Sequence, residues 1–162
     1  MDLQEIKEYI PETNTVNKDR KYYIKNNIFI KTDEDVNRGK SEAKFLEQLN
    51  HKYIQKYIDS YTKDGLSYME TAYFNGVTLE NNLFSDNEII TIQSQMLEVI
   101  SYLTTKGIKH GDINVSNIMF DGNSILLIDF ETASYGDPID DLFGEYNHQG
   151  VVNTLNIIKR RI

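Results

Sequence analysis

The stretch "IKHGDINVSNIMFDGNSILLIDFE", Ile108 to Glu131, sets His110, Gly111, Asp112, Asn117 and Asp129 among short apolar runs. Asp, Asn and Gly are the commonest turn formers, and each of them alone reads as a turn residue. The ordered set reads differently. Asp112 can accept a proton or orient a nucleophile. Asn117 offers a neutral oxygen and Asp129 an anionic one, and both suit Mg²⁺, a hard cation that prefers oxygen ligands. Two Asp and one Asn are too few for a full protein cage. That is the ligand count Mg²⁺ takes when a nucleotide's phosphates complete its shell. The spacing suits phosphoryl transfer, in which a protein mainly positions reactants and neutralises charge.

Outward from this stretch the elements can be read in turn. A helix runs from Ser85 to about Lys106. Ser85 and Glu88 form a capping box, Ile89, Ile92, Met96, Ile100 and Leu103 recur at helical spacing, and Gly107 is a C-terminal stop. "IMF" and "SILLID" read as short strands around Asp121-Gly122-Asn123. Upstream, "KYYIKNNIFIK" (Lys21–Lys31) reads as a hairpin with Asn26-Asn27 at its turn, since Asn tolerates positive φ. "DVNRGK" reads as a loop and "SEAKFLEQL" (Ser41–Leu49) as a short helix. "YIQKYIDSYTKDGLSYMETAYF" reads as two strands around Lys63-Asp64-Gly65, and "NGVTL" (Asn75–Leu79) as a further turn. In the first twenty residues Ile6, Tyr9 and Ile10 fit a short helix or a strand, ended by Pro11. From about Pro138 onward a helix is expected, interrupted by Gly144 and Gly150. The chain is thus α+β with two unlike halves, and the polar loop between a long helix and a hairpin is the expected site.

Composition narrows the function classes. The 162 residues carry a formal net charge of -8, which disfavours nucleic acid as a general partner. No cysteine is present, so disulfides, thiolate chemistry and zinc thiolate sites are excluded. "MDLQEIKEYI" lacks a signal peptide's basic flank and apolar run, and no apolar run is long enough to span a bilayer. A soluble, cytoplasmic protein with no membrane span is expected.

"HGDINVSNIMF…LLIDFE" resembles the catalytic and metal-binding loops of the protein-kinase-like superfamily, whose pattern is H-[RG]-D-x-x-x-x-N, then a strand and D-F-[GE]. The resemblance implies a two-lobed fold: a β-rich N-lobe with one helix over residues 1–72, and a reduced, mainly helical C-lobe over 73–162. It makes Asp112 the catalytic base, Asn117 and Asp129 the Mg²⁺ ligands, and His110 a structural residue. "IFIK" matches the strand lysine at Lys31, and "SEAKFLEQLNHKYI" the helix glutamate at Glu42, a pair that holds the amine toward the nucleotide's phosphates. Lys25, Lys40 and Glu47 are the alternatives in another register. "LSYMETAYFNGVTL" is similar to the hinge, with Glu70, Thr71 and Ala72 offering backbone groups to an adenine edge and Met69 closing the back of the pocket. ATP and Mg²⁺ are the implied cofactors.

"IDFETASYGDPIDDL" is similar to a segment of aminoglycoside phosphotransferases and choline/ethanolamine kinases, with Asp141 as a brace of the catalytic loop. Gly111 follows the His where typical protein kinases prefer Arg. Asn114 stands where Ser/Thr kinases carry Lys, and no A-P-E follows. This implies transfer of the γ-phosphoryl group of ATP to a hydroxyl of a small molecule or glycan. The acidic run Glu131, Asp137, Asp140, Asp141 and Glu145 could attract a cationic acceptor. The alternatives are a minimal atypical protein kinase and a pseudokinase that binds nucleotide and grips a partner. Two departures from the pattern stand out: no glycine-rich loop precedes Gly39, and few residues follow Asp129. A second subunit, forming a homo-oligomer, or a partner protein could complete the acceptor pocket.

Overall fold

The computed structural model describes residues 4–5 and 19–138 of the chain. A short strand β1 (Gln4–Glu5) pairs with β2 (Arg20–Lys25), which turns back into β3 (Ile28–Asp33). Asn26 and Asn27 hold φ of 50° and 61°, the two-residue turn whose twist matches the strands it joins. The helix α1 (Val36–Glu47) follows, then β4 (Tyr57–Lys63) and β5 (Leu66–Ala72), joined through Asp64 and Gly65, again both at positive φ. These strands form one antiparallel sheet in the order β1-β2-β3-β5-β4.

Helix α1 starts five residues earlier than the hydrophobic spacing suggests. Asp35 caps it by accepting from the Arg38 N–H. Gly39, which reads as a loop signal, is a buried helical position pressed against β5. A Cβ there would lie 1.8 Å from Ser67 Oγ. Glycine marks a close helix–sheet approach here, not a break.

The second half begins with β6 (Val77–Thr78), so part of "NGVTL" is a strand and not a turn; it pairs with β8 (Ile118–Phe120). Helix α2 (Asp86–Lys106) has the Ser85–Glu88 capping box in both directions, and Gly107 ends it in the left-handed conformation. It buries Ile89, Ile92, Met96, Val99, Ile100 and Leu103. Then come β7 (Ile108–Lys109), β8, β9 (Ile125–Leu127) and β10 (Ser134–Tyr135). The β7–β10 pairing fastens the segment after Asp129 beside the end of α2. The helix expected from about Pro138 lies outside the described residues, as do Ile6, Tyr9, Ile10 and Pro11.

The core is continuous between the two halves. Phe45, Leu46 and Leu49 from the α1 region, Met69 from β5, and the inner face of α2 join Ile118, Ile125, Leu127 and Phe130 in one cluster. Backbone bonds stitch the same boundary: Leu127 N–H donates to Tyr53 O at 2.8 Å, and Gln55 N–H donates to Leu127 O at 3.1 Å. The polar stretch from Ile108 to Glu131 is therefore anchored by packed apolar strands. Among the described residues no helix is long and apolar enough to cross a membrane.

Candidate active site

Lys31 lies on β3 with its side chain buried, and its Nζ stands 2.8 Å from Glu42 Oε1 of α1. The same Nζ is 3.5 Å from Asp129 Oδ1 and 3.5 Å from Glu131 Oε2. The second Glu42 oxygen accepts the Phe130 N–H at 3.0 Å. One buried ion pair thus joins the sheet, α1 and the segment after β9. Burial opposes the charge on Lys31, but Glu42, Asp129, Tyr22 and Glu131 outweigh it and hold its pKa above the ordinary lysine value. Burial raises the Glu42 carboxyl, and Lys31 offsets only part of that. Asp129 is also desolvated, yet the charges of Lys31 and Arg20 hold its carboxyl below the usual value.

His110 is fully buried, edge-on to Phe130. Its Nδ1 accepts the Asp112 N–H at 3.1 Å, so Nε2 carries the proton and donates to Ile128 O at 2.8 Å. The imidazole braces the loop and is not exposed to the cleft. Gly111, at φ 90°, passes so close to Thr132 that a Cβ would come within 2.5 Å of its carbonyl oxygen. Asp112 itself is exposed. Asn114 Nδ2 donates to its Oδ1 at 2.8 Å, and Asn117 Nδ2 donates to its Oδ2 at 3.0 Å and to its carbonyl at 2.8 Å. The carboxylate is held by two amides and still faces solvent.

A cleft of about 680 Å³ opens beside these groups, lined by Tyr22, Phe29, Lys31, Glu42, Gln55, Ala72, Tyr73, Phe74, Ser116, Asn117, Met119, Leu126, Ile128 and Asp129. Apolar and aromatic walls together with the Lys31 ammonium suit a flat ring with a phosphate tail. Asn117 commits its NH₂ to Asp112, which turns its amide oxygen the other way, and Asp129 brings carboxylate oxygens to the same cleft. This all-oxygen donor set fits a hard cation such as Mg²⁺. Among the described residues no cluster of three or more His, Cys, Asp or Glu could hold a metal by itself.

The four hinge candidates do not all lie on the cleft. Met69 packs in the core and does not line the cleft. Glu70 and Thr71 lie inside β5, with neighbours Ile30 and Asp59, and Phe29 and Tyr57, so their backbone groups serve the ladders. Thr71 Oγ1 accepts from buried Gln55 at 3.0 Å. Of the four residues only Ala72 reaches the cleft, and its edge continues through Tyr73 and Phe74. Strand β5 ends at Ala72, two residues short of the Phe74 that the strand reading reached, with β3 pairing it up to Ala72 and β4 up to Thr71.

The family model for the protein kinase domain matches residues 13–152. The chain belongs to the protein kinase domain family. It is 32% identical over 114 residues to "Probable serine/threonine-protein kinase YbdM" of Bacillus subtilis, covering 67% of this chain and 44% of that protein. It is 31% identical over 134 residues to "Putative serine/threonine-protein kinase L268" of Acanthamoeba polyphaga mimivirus, covering 70% of this chain and 24% of that one. With "Probable serine/threonine-protein kinase 2" of Plasmodium falciparum it shares 28% identity over 104 residues, 59% of this chain and 20% of the relative. The chain spans less than half the length of these curated relatives.

In this protein kinase domain several cleft residues escape a reading by motif. Tyr22 and Phe29 belong to no loop pattern, yet the hairpin register contains them. A two-residue turn at Asn26-Asn27 sets Tyr22 opposite Lys31, and the period of two puts Phe29 on the Lys31 face. The same register sets Arg20 opposite Asp33. The acidic neighbourhood also changes. Glu131 does not join an acidic surface; it turns inward to Lys31 and to Arg20, with which it makes a close ion pair. Asp137 is exposed, and Asp140, Asp141 and Glu145 lie outside the described residues. Of the alternative register residues, Lys40 and Glu47 are exposed on α1, and Lys25 pairs with Ile28 at the far end of the hairpin.

Proposed function

We propose that this chain is the core of an ATP- and Mg²⁺-dependent kinase that transfers a phosphoryl group to a protein hydroxyl. The observation that carries the reading is the convergence of Lys31, Glu42, Asn117 and Asp129 on one cleft, with Asp112 bonded to its lining residue Asn117. Lys31, held by Glu42, would anchor the phosphates, while Asn117 and Asp129 would hold Mg²⁺. Bound Mg·ATP supplies the transferable group and part of the charge neutralisation. Asp112, fixed by Asn114 and Asn117 and open to solvent, would orient the acceptor hydroxyl and take its proton late in the reaction. Ala72, Tyr73 and Phe74 would border the nucleobase. We place the boundary between a nucleotide lobe, residues 1–72, and a catalytic lobe, 73–162, where β5 leaves the sheet.

The relatives' names, serine/threonine-protein kinases, favour a protein acceptor over the small molecule or glycan expected from "GDPIDDL". Kinship with aminoglycoside phosphotransferases and choline kinases is the second reading, supported by Gly111 and by Asn114. The amide of Asn114 occupies Asp112 Oδ1. Incubation with radiolabelled ATP and Mg²⁺, with a generic protein acceptor or with a panel of amino alcohols and aminoglycosides, separates the two. Label in protein, including the chain itself, on Ser or Thr supports the first reading, and label only in the small molecules supports the second. Asp112→Asn is expected to lower transfer by at least ~100-fold, the scale of a lost general base, while nucleotide binding persists. Unchanged transfer by that variant would remove Asp112 from the mechanism.

A further inference from the structure

Glu131 stands where Lys31 should be open to a phosphate. Its Oε2 lies 3.5 Å from Lys31 Nζ on one side and against Arg20 Nη1 on the other. Arg20 is itself buried, its side chain 3% exposed. Its second carboxylate neighbour, Asp33, is 3.7 Å from Nε and is already gripped by Arg38 through two bonds of 2.7 Å. Arg20 Nε makes no hydrogen bond among the described residues. Among the described residues the guanidinium's close ion pair is thus with Glu131, and Glu131 is pinned in place by the guanidinium.

The local charge count gives this arrangement a consequence. Once Arg38 has engaged Asp33, two cations, Lys31 and Arg20, face three carboxylates, Glu42, Asp129 and Glu131. A metal-free triphosphate would enter a site that already has excess negative charge and would have to displace a carboxylate from Lys31. Like charges a few ångströms apart in a partly desolvated cleft repel strongly. A metal-bound nucleotide brings two positive charges with it, and Asp129 then faces the cation.

We propose that Glu131, pinned by Arg20, is a built-in competitor for the phosphate position on Lys31, and that this pair makes the cleft select metal-bound over metal-free nucleotide. Arg20 and Glu131 are positioning residues: on nucleotide entry Glu131 yields Lys31 and remains on Arg20. The inference rests on the nucleotide-binding reading proposed above.

Titration calorimetry with ATP, in excess Mg²⁺ and in excess chelator, tests it on wild type, Glu131→Gln and the double variant Arg20→Gln/Glu131→Gln. The double variant leaves no buried charge unpaired, so it keeps the test open if the single variant fails to fold. The expected result is a gain of about tenfold or more in affinity for metal-free ATP in Glu131→Gln, from removal of a like charge at close range, and a smaller gain in the double variant, which frees Lys31 of its competitor but loses a cation with the carboxylate and so keeps the net charge of the site. Affinity for Mg·ATP should change by less than about threefold, since the cation already screens that charge. Metal-free affinity that is unchanged or weaker, or an equal gain with and without Mg²⁺, overturns the competitor role and leaves the kinase reading intact. Wild type that binds ATP in neither condition overturns both.

Discussion

At the scale of single residues, charge and burial decide the site. Asp112 and Asp129 are both aspartates in one short stretch, yet their environments separate them. Asp112 is exposed and held by two neutral amides, whereas Asp129 is mostly desolvated and faces Lys31. Asp129 also holds φ of 64°, a strained value for a side-chain-bearing residue that the packed Phe130 and the Lys31 contact maintain. Its carboxyl lies below the ordinary value of 3.8 in the folded chain. As the pH falls, the unfolded chain therefore takes up the proton first. The stability that Asp129 contributes is full above about pH 5 and is lost as pH falls through the ordinary value toward the folded one. Denaturant unfolding of wild type and Asp129→Asn should show a stability difference that shrinks in wild type's disfavour from about pH 6 to pH 3. A difference constant with pH would mean that Asp129 has no favourable charge partner.

At the scale of elements, α1 carries Glu42 to Lys31, and Gly39 sets how closely it docks. Helix propensity alone favours Ala over Gly by ~1 kcal/mol in a helix interior. Against this, a Cβ at Gly39 would lie 1.8 Å from Ser67 Oγ and 2.7 Å from Ser67 Cβ. A rotamer change moves Oγ but not Cβ, so the helix must shift, and overpacking of this kind costs about 1–3 kcal/mol. Gly39→Ala is therefore expected to lower the thermal midpoint despite its better propensity. Ser67→Gly in the same chain should restore much of the loss. A stabilised single variant would refute the close approach. Elements whose signals are local were legible from residue patterns: the Asn26-Asn27 hairpin, the Asp64-Gly65 turn and the capped helix α2. The start of α1 and the pairing of β6, β7 and β10 were not, because Gly39 and two-residue strands gain their meaning only from a partner distant in sequence.

At the scale of the whole molecule, one core spans the boundary proposed at residue 72. Leu127 is fully buried, and its backbone bonds to Tyr53 and Gln55 join the segment after α1 to β9. Leu127→Ala should cost about 2–5 kcal/mol, as truncation of a buried Leu leaves a cavity that the surroundings fill only in part. Because the core is shared, far-UV circular dichroism and tyrosine fluorescence should report one coincident denaturant transition in wild type and variant. Two separated transitions would mean that the halves fold independently.

The sequence by itself determined which groups could be brought together and on what fold class: the order His110, Gly111, Asp112, Asn117, Asp129, the Lys31 and Glu42 that precede it, and the α+β arrangement that presents them. Side-chain identity and periodicity are local quantities, and these features need nothing more. Only the tertiary structure decided that Glu131 turns inward, that Arg20 meets it, that Met69 belongs to the core, and that the cleft edge runs through Ala72, Tyr73 and Phe74. Each of these depends on which strands flank which, and on where a buried charge finds its nearest opposite. Contacts of that kind bridge up to about a hundred residues of chain, and local sequence patterns carry no record of them.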